Sequence, residues 1–496
     1  MTLVDRSSPL PIYYQLKVLI QDQINSGLWR PGDRIPTEGE LCQTHGISRS
    51  PVRQALSELA REGVLVRRPG LGTFVTDNVT VNDCCVTAIR MMCSDPHWST
   101  VVEHVTSLWN LAHPDREIAF DINPVQHDQF YDLLGAAVGS GTAPDLAMVD
   151  TVWVAGLADS GFLYALEELD SPWSRAEFGR DLHPVFVDAN SLDGRLYGLP
   201  VKVDASLLWY RKDWFADEGL TPPQDWIDLL DVATHFLRSE VQGRYQFAHP
   251  LAFPAGVHGG EATVYNLMPF VWSTGGGVFD LDAACVTLDA PATRRSLQFL
   301  RELVHAHRVS PPDVVSYGHD TTARLLAQGK VAMAFGGSYE AEIIRAVTQS
   351  NQEEFSTRFD AVAPPAAPGG RSVSTVGGTS YVILRQCERP TLVMDVLKLA
   401  TDPDVIGKLY RTARQILPYP SRGSMPGPGP DPLLTKVSQM VASGRARPSI
   451  PEYVKVSRQL QRMFETAISS AEPIDDIVQR TSEFIGVIAD LPCRAY

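Results

Sequence analysis

Arg49 and Arg53 lie four residues apart, flanked by Ser48 and Ser50 and followed by Gln54 and Ser57. On a helix that spacing turns both guanidinium groups to one side. An arginine fork matches the O6 and N7 acceptors that guanine presents in the major groove. Hydroxyls beside it suit phosphate oxygens, which fix register without reading sequence. Slightly downstream, Arg68 precedes Pro69-Gly70-Leu71-Gly72. Glycines there let backbone approach a sugar-phosphate chain or a minor groove closely, with Arg68 alongside. The chemistry on offer is recognition of double-stranded DNA.

The surrounding pattern supplies elements to hold these groups. Ile12, Leu16, Leu19 or Ile20, and Ile24 recur at helical spacing up to Asn25-Ser26-Gly27, a helix stop. Pro31-Gly32-Asp33 makes a turn, and Thr37-Glu38-Gly39-Glu40 is a capping box that starts a short helix ending at Gly46. Ser48 caps a third helix to about Glu62; Pro51 is tolerated in its first turn, and Val52, Ala55, Leu56 and Leu59 form its apolar stripe. The β-branched runs 64–67 and 73–76 around the Pro/Gly turn predict a hairpin. Two helices with a tight turn, the second carrying paired arginines, followed by a hairpin, spell a winged helix-turn-helix. Taken singly, exposed arginines or a hairpin read as the solvated face of any small domain. The ordered set is what points to DNA.

The net charge of the 496-residue chain is −15, which at first sight opposes a nucleic-acid partner. Residues 1–76, however, hold nine Lys/Arg against seven Asp/Glu, so a head of +2 sits on a body of −17. Phosphate attraction is local and screened beyond about 10 Å, so an acidic body is compatible with a DNA-binding head. No apolar run is long enough to predict a membrane span, and the first residues lack the pattern of a secretory signal, so a cytoplasmic protein with no membrane partner is expected. The seven cysteines include no CxxC pair. Cys84, Cys85 and Cys93 could hold a metal or sense oxidation, but reduced thiols in a cytosolic fold are the better reading, and no metal or cofactor is expected.

The segment "PGDRIPTEGELCQTHGISRSPVRQALSELAREGVLVRRPGLGTFV" resembles the GntR-type winged helix-turn-helix nearly end to end. The resemblance implies that Arg49 and Arg53 contact bases, that Thr37, Ser48 and Ser50 contact phosphates, and that Gly70 enters the minor groove. One departure stands out: Gly39 occupies a position where that family often has a DNA-touching arginine.

After a polar linker at 77–85, strand-like runs at 86–92, 117–122 and 145–149 alternate with helical patterns at 100–111 and 128–138. This predicts an α/β domain of parallel strands with a ligand crevice at their carboxyl ends, where the loop after 145–149 carries Asp150 and Trp153. The stretches "GTAPDLAMVDTVWVAGLADSGFLYALEEL" (141–169), "DGRLYGLPVKVDASLLWYRKDWFADEGLTPPQDWIDLLDVA" (193–233), "FVWSTGGGVFD" (270–280), "LLAQGKVAMAFGGSYEAEII" (325–344), "STVGGTSYVI" (374–383) and "ILPYPSRG" (416–423) resemble family 1 extracellular solute-binding proteins of the maltose-binding type, in that family's order. This implies two α/β lobes, of the type II periplasmic-binding-protein fold, closing on a ligand. It points to Asp204 near the hinge, Tyr339 as a sugar-stacking aromatic, and Trp272 and Gly378 as cleft positions. Aromatic faces that cover a sugar's C–H face and carboxylates that accept its hydroxyls suit such a site. Each also has a plain structural reading: Trp153 and Trp272 as core, Asp204 as a hinge or cap residue.

The sequence therefore predicts a multidomain regulator: a winged helix-turn-helix over 1–76, a linker over 77–85, and a two-lobed solute-binding domain over 86–496. Its expected partners are operator DNA, a small effector of sugar type and a second copy of the chain. One rival is a pyridoxal-phosphate fusion enzyme, but none of the eight lysines has a serine three residues before it. The other is a plain transport component, which the missing signal disfavours. P-loop, GxSxG and HExxH motifs are absent, and no enzyme is expected.

Overall fold

The computed structural model describes residues 12–494 except 26–27, 62–63, 69–71, 77–85, 95–98, 176–181, 183, 403–404 and 406–431. Gly70, Cys84, Cys85, the expected linker and the 416–423 motif thus lie outside the described residues. The chain divides into two compact units, residues 1–87 with 113–117, and the remainder.

In the first unit, α1 (Ile12–Asn25), α2 (Glu38–His45) and α3 (Arg49–Arg61) precede the hairpin of β1 (Leu65–Arg68) and β2 (Gly72–Val75). The capping box at Thr37 is formed in both directions, and Gly46 ends α2 in the left-handed conformation that glycine adopts without strain. Leu16, Ile20, Leu41, Val52, Ala55, Leu56, Leu59 and Val75 close a small core. The hairpin is wider than its two runs suggest: the Ile35 amide donates to Thr73 and the Val75 amide to Asp33, laying residues 33–35 along β2.

The second unit begins with the expected alternation of β3 (Thr87–Cys93), α4 (Ser99–Ala112), β4 (Ile118–Pro124), α5 (His127–Gly139) and β5 (Leu146–Asp150). Cys93 is buried, its sulfur 3.6 Å from that of Met148. Next come β6 (Leu199–Arg211), β7 (Leu251–Ala252), α6 (Glu261–Ser273), β8 (Met333–Gly337), β9 (Phe359–Val362), β10 (Thr375–Ile383), β11 (Arg445–Ala446) and the helices α7 (Tyr453–Ser469) and α8 (Ile474–Ala489), with further short elements between. The sheet order is β4-β3-β5-β10-β6-β8-β7, with β9 beside β6 and β11 beside β10.

β3 and β5 run parallel as expected, but β6 and β10 run antiparallel to each other, and β10 antiparallel to β5. These strands build the two-lobed architecture. β6 pairs with β10 through Leu199–Ala205, then with β8 from Ser206 and β9 from Leu208. One continuous strand therefore belongs to both lobes. Ile89, Met91, Leu146, Leu199, Val201 and Tyr381 pack the first lobe, and Leu208, Phe270, Leu300, Phe335 and Phe464 the second. Among the described residues no helix is long and apolar enough to cross a membrane.

Candidate functional site

The head presents one polar face built on α3. Val52, Ala55, Leu56 and Leu59 are buried, which leaves Arg49, Ser50, Arg53, Gln54 and Ser57 exposed with Ser48 just ahead of them. The Thr37 hydroxyl already serves the fold: it donates to Glu40 Oε2 at 2.8 Å and accepts from the Glu40 amide at 3.3 Å. The Thr37 amide bond to the same carboxylate, with that hydroxyl donation second, holds Glu40 below its ordinary pKa. Arg53 Nε donates to Glu38 Oε2 at 2.9 Å and so ties α3 to α2. On the hairpin, the Arg68 guanidinium lies 4.9 Å from the Phe74 ring centroid. At Gly72 (φ +122°) a Cβ would come within 2.8 Å of Arg34 Nε, so Arg34, unremarked in the sequence, packs onto the wing and adds a cation beside Arg68.

The second site lies where β5, β6, β10 and α6 meet. Asp150, the last residue of β5, accepts the Val152 amide at 3.2 Å, which starts the turn carrying Trp153. It also accepts from Arg447 Nη2 at 3.1 Å, with His127 Nε2 at 3.8 Å. Burial alone would raise the Asp150 pKa, but Arg447 and His127 outweigh it and hold the carboxyl at about 2. Arg447 Nη1 donates at 2.8 Å to Glu261 in the first turn of α6. Glu261 also accepts from Tyr453 at 3.0 Å and from Ser457. The Arg447 side chain is only 2% exposed. One buried guanidinium thus joins a carboxylate of the first lobe to one of the second.

Rings run across the same region from lobe to lobe. Trp153 packs on His127 (centroids 5.1 Å apart), His127 on His319 (4.9 Å), His319 on Tyr339 (5.1 Å) and Tyr339 on Tyr265 (6.4 Å). His319 is pushed down to about 3, by burial first and His127 second, so it is neutral at ordinary pH. Asp204 on β6 accepts from Ser338 Oγ at 3.0 Å. Burial raises Tyr265 and Tyr339 well above the ordinary tyrosine range, helped by Asp204 at Tyr265 and by Glu340 and then Asp204 at Tyr339, so both remain phenols able to donate hydrogen bonds. The Tyr265 hydroxyl is buried and pairs with no group among the described residues.

Of the six positions expected to meet ligand, Asp150, Trp153, Asp204 and Tyr339 come together here. Trp153 is at once buried core and the first ring of the ladder. Trp272 lies two turns beyond Tyr265 on α6, buried, with the Arg445 guanidinium 5.1 Å from its ring centroid. Gly378 faces β6: a Cβ would sit 1.9 Å from the Lys202 carbonyl oxygen. Its neighbour Gly377 faces the cluster, since a Cβ there would meet Arg447 Nη2 at 2.9 Å. His127, Glu261, Tyr265, His319 and Arg447 were not singled out from the sequence. A glycine pair on a strand was the one local hint of a crowded site, and the ion pair joins residues 297 positions apart.

The family model for bacterial extracellular solute-binding proteins matches residues 99–406. The chain belongs to this family. The model for bacterial regulatory proteins of the gntR family matches residues 12–75, so a GntR helix-turn-helix domain is fused to a family 1 solute-binding domain. The GntR head is 51% identical over 72 residues to a histidine utilization repressor of Klebsiella aerogenes, covering 14% of this chain and 30% of that one. The solute-binding domain is 26% identical over 287 residues to a putative binding protein of Brucella abortus, 57% of this chain and 64% of that one. The matches thus span less than two thirds of either relative. Among solved structures, maltose-bound MalE3 of T. maritima superposes with a TM-score of 0.71 at 22% identity, covering 81% of this chain and all of that one. The GacH receptor of Streptomyces glaucescens, solved unliganded and with acarbose, gives 0.71 at 17% identity over 82% of this chain and 99% of its own. At such identities the likeness is one of fold.

Proposed function

We propose that this chain is a transcription regulator whose operator affinity is set by a small solute, a mono- or oligosaccharide, held between the lobes of its solute-binding domain. The observation that carries the reading is the fusion itself: one chain joins a head with a paired-arginine face to a two-lobed domain whose lobes meet at aromatic rings, carboxylates and a buried phenol. Rings beside carboxylates and phenols suit a polyhydroxylated ligand. Asp150 and Glu261 are committed to Arg447, Tyr453 and Ser457, an arrangement for holding lobes and ligand in place rather than for acid–base exchange.

The regulator acts in the cytoplasm as a homodimer on a pseudo-palindromic operator, since two heads related by a two-fold read two half-sites. Thr37, Ser48 and Ser50 contact phosphates, Arg49 and Arg53 bases, and Arg68 and Gly70 the wing's groove. Asp150, Trp153, Asp204, Trp272, Tyr339 and Gly378 belong to the effector site, with Tyr265 and His319 beside them. A solute controls the head only through its differential affinity for two arrangements, a coupling that typically shifts affinity about 5- to 150-fold.

The test is fluorescence anisotropy of the full chain on duplex DNA from upstream of its own gene, at fixed salt, against a panel of sugars. A several-fold shift with one sugar supports the reading. Specific binding that no sugar alters removes the sugar effector and keeps the DNA-binding half, and no specific binding removes the regulator.

A further inference from the structure

The head holds a contact that phosphate and base readout leave unused. Glu38 lies in the first turn of α2, on a backbone fixed by the Thr37–Glu40 capping box, and its carboxylate accepts Arg53 Nε–H across the helix-turn-helix at 2.9 Å. The Arg53 side chain remains 64% exposed. Guanidinium stereochemistry makes this arrangement directional. Engaging Nε leaves the end-on pair of Nη groups beyond the carboxylate, and that pair forms the fork matching guanine O6 and N7. Residue 39 is a glycine, so it supplies no competing cation to Glu38.

We propose that Glu38 is a specificity-determining positioning residue: it aims Arg53 at one base pair, so the reading of that pair depends on a carboxylate that touches no base. This rests on the DNA-binding reading above. It has a consequence that simple electrostatics does not share. A carboxylate on the DNA-facing side repels phosphates, so its removal strengthens binding to any duplex. Loss of aim instead weakens discrimination at one base pair while leaving other positions as they were. The two effects have opposite signs and separate cleanly.

The probe is the sequence that the full-length protein enriches from a random duplex pool, together with single base-pair variants of it and an unrelated duplex. Wild type, Glu38→Ala, Glu38→Gln and Arg53→Ala are titrated by anisotropy at two salt concentrations, with thermal melts as a check on folding. Arg53→Ala identifies the base pair it reads by losing discrimination there, on the scale of roughly 5- to 150-fold for a bidentate contact. Glu38→Ala is expected to lose a large part of that same discrimination while its affinity for the unrelated duplex is unchanged or higher. Glu38→Gln, which keeps an acceptor for Nε, is expected to retain more of it.

Full discrimination in Glu38→Ala at the base pair where Arg53→Ala loses it overturns the proposal. So does an equal loss of affinity on every duplex by a Glu38→Gln variant that melts like wild type. If Glu38→Ala unfolds the head, Glu38→Gln carries the comparison. Failure of wild type to enrich any sequence would instead remove the DNA-binding reading itself.

Discussion

Replacing Arg447 with methionine keeps side-chain bulk but leaves Asp150 and Glu261 buried without their shared cation. Both carboxylates are only about a tenth exposed, at 11% and 10%, so solvent cannot substitute for the guanidinium. Breaking a buried pair by removing one partner typically costs about 3–5 kcal/mol, because the remaining charge is uncompensated. Unfolding about 400 residues as one unit gives close to 1 °C per kcal/mol, so the melting midpoint of the solute-binding domain should fall about 4–6 °C. The triple variant Arg447→Met/Asp150→Asn/Glu261→Gln should recover most of that loss, since no buried charge remains.

Acid gives a second readout. Asp150 is held at about 2 against an ordinary 3.8, a depressed folded-state pKa. Its contribution is therefore present in full above the unfolded value and is lost as pH falls through the folded one, amounting to about 2 kcal/mol between pH 5 and pH 2. Arg447→Met should move this acid limb to higher pH. Differential scanning fluorimetry across pH 2–8 reads both effects. A single variant melting within 1 °C of wild type, or a triple variant no better than the single, would refute the reasoning.

Gly39→Arg should tighten binding to all duplexes and steepen the salt dependence by about one unit of log–log slope, because the space at residue 39 admits a side chain and, on the proposed DNA-binding reading, the added cation neutralises one more phosphate; anisotropy across a salt series measures it. Leu56→Ala removes a fully buried side chain from the head and should cost about 2–5 kcal/mol, seen as loss of the head's helical signal at lower urea. Gly377→Val drives a side chain into Arg447 and Tyr265, and should lower the solute-binding domain's melting midpoint by several degrees. Tyr339→Ala should leave operator affinity within about twofold of wild type while weakening the sugar response roughly tenfold, since an aromatic contact contributes about 1 kcal/mol or more; anisotropy with titrated sugar distinguishes the two.

Local signals made the head legible. Thr37 with Glu40, Gly46 after α2 and the 3.6-residue stripe of α3 each specify an element within a few residues of themselves. The strand-like stretch at 33–35 escaped because three residues carry no period. In the solute-binding domain, β5 was expected over 145–149 and forms over Leu146–Asp150. The antiparallel course of β6 and β10 was not legible. Nearly all thirteen residues of β6 are buried on both faces, so no alternation marks direction or partner. Asp204 and Tyr339 came from resemblance, whereas Arg447 finds its partners only through tertiary folding, and no short window of sequence contains that information.

The second lobe's core is finished by the end of the chain: Val456, Leu460, Met463, Phe464, Ile477 and Ile485 pack among residues that precede them by well over a hundred positions. Synthesis runs from the other end. At ~5–20 residues per second, the head leaves the ribosome about 20–80 s before α7 and α8 exist to close that core. A nascent or prematurely terminated chain therefore carries a complete winged helix with an open, adhesive second lobe. If the head binds DNA and the second unit senses a solute as proposed, stop codons late in the gene should release heads that still occupy DNA but answer to no solute, whereas stop codons within the head's own coding region should release nothing that binds.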